Sequence, residues 1–133
     1  MFVLCFTPDQ LKNFVTIAYK IISADNKITP EEKKAFEVLV NSYGFSNEEV
    51  IKNEKSLDEL LKVFNDNPSK TFCLLNLYIL AHVDKDFSKE EKEMIDNIAK
   101  KIGIKKENQE KILKISQNMM KIFDEIDQVI TTL

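Results

Sequence analysis

The chain has 133 residues, 44% hydrophobic and 31% charged, the balance of one globular domain and not of a disordered segment. Its net charge is −3 and all 19 basic residues are lysine; without arginine's bidentate fork, and with acid in slight excess, nucleic acid is excluded as a partner. Two cysteines without CxxC spacing give no disulfide framework, no run reaches membrane-span length and residues 1–6 are too short for a signal peptide, so we expect a reduced, cytoplasmic protein with no membrane insertion.

Two glycines and three prolines argue for long helices over a turn-rich β protein. Helix starts are written as capping boxes, in which Ser or Thr caps the first turn and an acid or amide three residues on reaches back to the cap's N–H. Thr7–Gln10, Thr29–Glu32, Ser46–Glu49, Ser56–Glu59 and Ser88–Glu91 fit, and Pro8 and Pro30 take the first helical position that proline tolerates. The first helix is expected over about 8–24, with Leu11, Phe14, Val15, Ala18, Ile21 and Ile22 on one face. The second covers about 30–43, with Phe36, Leu39, Val40 and Tyr43 inward. Short helices follow at about 47–53 and 57–65. Asn67–Pro68 opens a fifth at about 68–83, apolar almost all round and therefore central. A sixth covers about 89–102. A last helix at about 107–131 carries a stripe of Ile112, Ile115, Met119, Ile122, Ile126 and Ile130, widened by Met120 and Phe123.

An offset of 59 residues lays the chain on itself without a gap. Tyr19 meets Tyr78, Asp25 meets Asp84, Thr29 meets Ser88, Glu31 and Glu32 meet Glu90 and Glu91, and Gly44 meets Gly103. The two glycines fall at the end of the second helix of each unit, where a left-handed residue closes a helix. We therefore expect an all-α fold: a compact bundle of about seven helices from two pseudo-symmetric helix–acidic turn–helix repeats. Repeat one covers about 8–45, repeat two about 68–104, and residues 1–133 read as a single domain.

The first turn, Ala24-Asp25-Asn26-Lys27-Ile28-Thr29-Pro30-Glu31-Glu32, resembles the A-D-G-x-[IV]-x-x-x-E signature of the tellurite-resistance TerB family. Val83-Asp84-Lys85-Asp86-Phe87-Ser88-Lys89-Glu90-Glu91 resembles the second copy that family carries. The likeness covers roughly Leu11 to Ile112. It implies an all-helical bundle of about seven helices, a role in stress or metalloid resistance, and paired acidic turns as a metal or partner site. Asn26 and Lys85 stand where the family usually has glycine. Asn tolerates the left-handed conformation; Lys85 tolerates it less and adds a positive charge beside Asp84.

Two readings of the acidic residues stand side by side. In one, Asp25, Glu32, Asp84, Asp86 and Glu91 form two sites for a divalent cation such as calcium, which takes several oxygens, with Glu31 and Glu90 supporting an acidic face. In the other, Glu32 and Glu91 only complete capping boxes and the aspartates bond turn N–H groups. Neither turn is an EF-hand: counted from Asp84, positions 6 and 12 are Lys89 and Ile95, and in the first turn positions 3 and 12 are Lys27 and Phe36. His82 could join Asp84 as a ligand or bond the terminal carbonyls of its helix. Cys73 reads as core filler and Cys5 has no neighbouring base.

No catalytic constellation is present in the sequence, so we expect a non-enzymatic stress-response module that binds a cation or a protein partner through its acidic turns. The alternative is an interaction domain that uses an apolar helix face, the turns serving only as caps. The stripe of the last helix is expected to pack across both helix–turn–helix hairpins; where it extends past them, it and the apolar residues 1–6 make a homodimer one form of that alternative.

Overall fold

The computed structural model describes residues 6–24, 28–82 and 88–133. Among them the chain is all-helical, in the order α1 (Pro8–Ile22), α2 (Pro30–Ser42), α3 (Asn47–Ile51), α4 (Leu57–Leu61), α5 (Asn67–His82), α6 (Lys89–Lys101) and α7 (Lys106–Thr132). The cap residues set the starts. Thr7, Thr29 and Ser46 form complete capping boxes. Ser56 and Ser88 accept from the N–H groups of Glu59 and Glu91, and the Ser56 hydroxyl also donates to Glu59 Oε1 at 3.1 Å. At α5 the cap is Asp66, whose Oδ1 accepts from Ser69 N at 2.8 Å; Asn67 and Pro68 lie inside the first turn.

Two helix ends share one geometry. Gly44 and Gly103 have φ of 78° and 82°. Beside them Phe45 N reaches Val40 O at 3.0 Å and Ile104 N reaches Ala99 O at 2.9 Å, with Gly44 N on Asn41 O and Gly103 N on Lys100 O, both 3.2 Å. This is the paired-bond Schellman closure. Phe45 and Ile104 then pack against the core. α1 ends at Ile22, two residues before the expected Ala24, because Ser23 Oγ donates to Tyr19 O at 2.7 Å and competes for the last turn.

α5 is central, with residues 73–81 all buried. α1 shares that place: it packs on α2, α3, α4, α5 and α6, and Phe14, Val15, Ile17, Ala18 and Ile21 are fully enclosed. Polar side chains of α1 also close the end of α4. Gln10 Nε2 donates to Val63 O at 2.8 Å and Asn13 Nδ2 to Leu60 O at 3.1 Å. The Leu60 carbonyl is one that a helix C-terminus leaves without an intrahelical partner, and Val63 lies just past that end.

Two expectations are corrected. Tyr43, expected inward, is at the surface, because the chain reaches it at the C-cap of α2. The apolar stripe of α7 does not pack across both hairpins. α7 packs chiefly on α5, and only Ile112 and Ser116 of its 27 residues are fully buried. Ile115, Ile122, Ile126 and Ile130 are exposed.

Candidate acidic-turn site

The described part of the site is built at the first turns of α2 and α6. Glu32 is the third residue of α2, so it lies on the same stripe as Phe36, Leu39 and Val40. Glu91 holds the corresponding place on α6, ahead of Ile95, Ile98 and Ala99. Both glutamates are carried into the protein with their stripe and are 2% exposed. Thr29 fixes Glu32 from both sides: Glu32 N donates to Thr29 Oγ1 at 3.1 Å, and Glu32 Oε1 accepts from Thr29 N at 3.2 Å. Glu91 N donates to Ser88 Oγ at 3.1 Å.

A buried carboxylate needs partners for its oxygens. Glu32 uses Oε1 for the cap, while Oε2 is buried with no hydrogen-bond partner among the described residues. The adjacent N-terminus of α2 favours negative charge there. An oxygen in this state is the donor type that hard cations take, so Glu32 fits a cation ligand. Among the described residues no three acidic, His or Cys side chains gather closely enough to hold a metal ion. Asp25, Asp84 and Asp86, the other ligands expected from sequence, lie outside the described residues, as does Cys5.

Glu31 and Glu90 are exposed beside their buried neighbours. His82 ends α5 half-buried, and burial lowers its imidazole pKa, which favours the neutral ring. Cys73 is fully buried and its thiol pKa is pushed far up by desolvation, which keeps it protonated. Next to the first turn lies a groove of about 370 Å³ floored by Tyr19, Ile22, Ile28, Phe36 and Ile51, with Lys33, Glu37 and Asn47 also lining it. Sequence reasoning passed over this groove. Its signal was there: Ile28 stands two residues before Pro30 and Ile51 ends a short amphipathic helix.

Helices that each open on a hydroxyl cap and a buried acid, packed around α1 and α5, define a class of small helical modules with acidic turns. The chain belongs to the TerB family: the family model described as tellurite resistance protein TerB matches residues 11–114. No curated protein and no solved structure matches it. Among the described residues no helix is long and apolar enough to cross a membrane.

Proposed function

We propose that this tellurite-resistance-type chain is a non-enzymatic module that takes a divalent cation, calcium first among them, at its acidic turns and presents the result to a protein partner. One observation carries the reading. Glu32 is buried on an apolar stripe with one oxygen committed to the cap and the other without a partner among the described residues. Capping alone accounts for Oε1. It does not account for placing a second charged oxygen out of water. Glu32 with Asp25 would hold the ion at the first turn, and Glu91 with Asp84 and Asp86 at the second. The groove at Tyr19, Ile28 and Phe36 adjoins the first turn and offers a partner an apolar surface there.

The test is a melting-temperature titration of chelator-treated protein with calcium, magnesium, manganese and zinc. An ion that binds only the folded state adds about 2.7 kcal/mol at a hundred times its dissociation constant, a shift of several degrees at this chain length. Glu32→Gln keeps a capping-box side chain and removes the charge, so it should reduce the shift and leave the ion-free protein at least as stable as the wild type, and Glu32→Gln combined with Glu91→Gln should abolish the shift. A shift left unchanged when Glu32→Gln and Glu91→Gln are combined, or no shift with any ion, rejects the cation sites. The second reading, an interaction domain using an apolar helix face, is favoured by the exposed stripe of α7.

A further inference from the structure

Two clefts in this chain are lined by residues in one register. The groove of about 370 Å³ has Tyr19 of α1, Lys33 and Glu37 of α2, and Asn47 and Ile51 of α3 in its lining. A cavity of about 200 Å³ has Tyr78 of α5, Lys92 and Asp96 of α6, and Lys106 and Glu110 of α7. Each residue of the second set stands 59 positions after one of the first, the offset that aligns the two glycines Gly44 and Gly103. Both clefts therefore combine a tyrosine, a lysine and an acid beside the start of a third helix.

The second cleft carries an occupant supplied by the chain itself. Gln109 also lines it. The Gln109 carboxamide donates to Tyr78 OH at 3.0 Å and to Asp96 Oδ1 at 2.6 Å, which uses both hydrogens of its Nε2. The residue 59 positions before Gln109 is Val50, which is buried in the core and has no donor to offer. The side chains of Tyr19 and Glu37 accordingly make no hydrogen bond or ion pair among the described residues. Asn47 lines the same groove, and its Oδ1 is buried with no hydrogen-bond partner among the described residues. A buried acceptor in that state is costly, and an N–H from a ligand would satisfy it. Lys33 and Glu37 line the groove together. Their charges offset, and Lys33 repels an ammonium or guanidinium, so a neutral donor is favoured. The floor of Ile22, Ile28 and Phe36 receives an apolar side chain.

We propose that this groove docks a peptide segment of a partner protein that presents a glutamine or asparagine next to a large apolar residue. Its carboxamide would take between Tyr19 and Glu37 the place that Gln109 takes between Tyr78 and Asp96. The proposal rests on reading the groove as the partner surface, and it does not depend on the cation. The test selects a phage-displayed library of random peptides on the whole chain, then titrates the enriched peptides. They should share a carboxamide residue beside an apolar one. Ile51→Asp alters a side chain that is 53% exposed at the groove; it should abolish binding and leave the helical circular dichroism unchanged. Tyr19→Phe keeps the ring against Phe36 and removes the hydroxyl, so it should weaken binding roughly two- to tenfold, the range of one hydrogen bond. Changing the peptide's glutamine to glutamate, or its asparagine to aspartate, sets an acid beside Glu37 and should abolish binding. Peptides that bind the groove without a carboxamide, or that tolerate that change, overturn the proposal and leave the groove as a partner surface. No enriched peptide, or equal binding to Ile51→Asp, removes the partner surface as well, while the ion titration stands by itself.

Discussion

Gly103 is the residue at which a single Cβ can be weighed most cleanly. Its φ is +82°, and a Cβ built there meets nothing within 4 Å. An alanine would pay only the left-handed backbone strain, about 1 kcal/mol. We expect Gly103→Ala to lower stability by about that amount in urea titration, Gly44→Ala to do the same, and Gly103→Asn to cost less than the alanine. Both glycines were legible in the sequence, because each follows an amphipathic run and precedes an apolar residue. The burial of Glu32 and Glu91 was not. Their roles as box partners placed them at helix starts, which are ordinarily wet, and that expectation hid the periodicity that puts each four residues ahead of a core residue, Phe36 and Ile95. Asp25, Asp84 and Asp86 lie outside the described residues, so the structure carries the site only as far as those two glutamates.

At the scale of elements, seven helices could be read because five starts repeat one chemical device, a hydroxyl cap, while α7, which opens with no side-chain cap, is legible from apolar spacing alone. The start of α5 was misplaced by one cap. Asn67 and Pro68 looked like the opening, whereas Asp66 accepts from Ser69 N and holds the first turn. The Ser69 hydroxyl and backbone N–H hold the Asp66 carboxyl below its ordinary value of 3.8. A carboxyl lowered by folding stabilises above its unfolded pKa, and that contribution is lost as pH falls through the lower folded value. Asp66→Ala should therefore melt below the wild type at pH 7, and the gap should narrow as the pH falls below the ordinary value of 3.8 and close once it passes the lower folded value, where the carboxyl is protonated in both states. The brevity of α4 was also missed. Apolar spacing carried it to about residue 65, but it stops at Leu61, where Asn13 of α1 takes the Leu60 carbonyl of its last turn and Gln10 takes the Val63 carbonyl just beyond it. No local pattern marks an amide that acts 47 or 53 residues away. Asn13→Leu leaves the Leu60 carbonyl without that donor and should cost roughly 1–3 kcal/mol in equilibrium unfolding.

In the whole molecule the burden of packing is uneven. α1 and α5 enclose the core with α2, α3, α4 and α6 around them, while α7 rests chiefly on α5. Gln109 ties the start of α7 down, donating to Tyr78 OH at 3.0 Å and to Asp96 Oδ1 at 2.6 Å. Nothing comparable among the described residues holds the other end, where residues 124–133 are exposed. Helices shorter than about 12–15 residues are marginal in water without packing, so the outer turns of α7 should be the least protected helical segment of the monomer. Amide hydrogen exchange can report this residue by residue. In dilute wild-type protein, amides of residues 124–132 should exchange far faster than those of residues 109–116 on the same helix. Strong protection of 124–132 in dilute protein would mean that this end of α7 is held within the single chain.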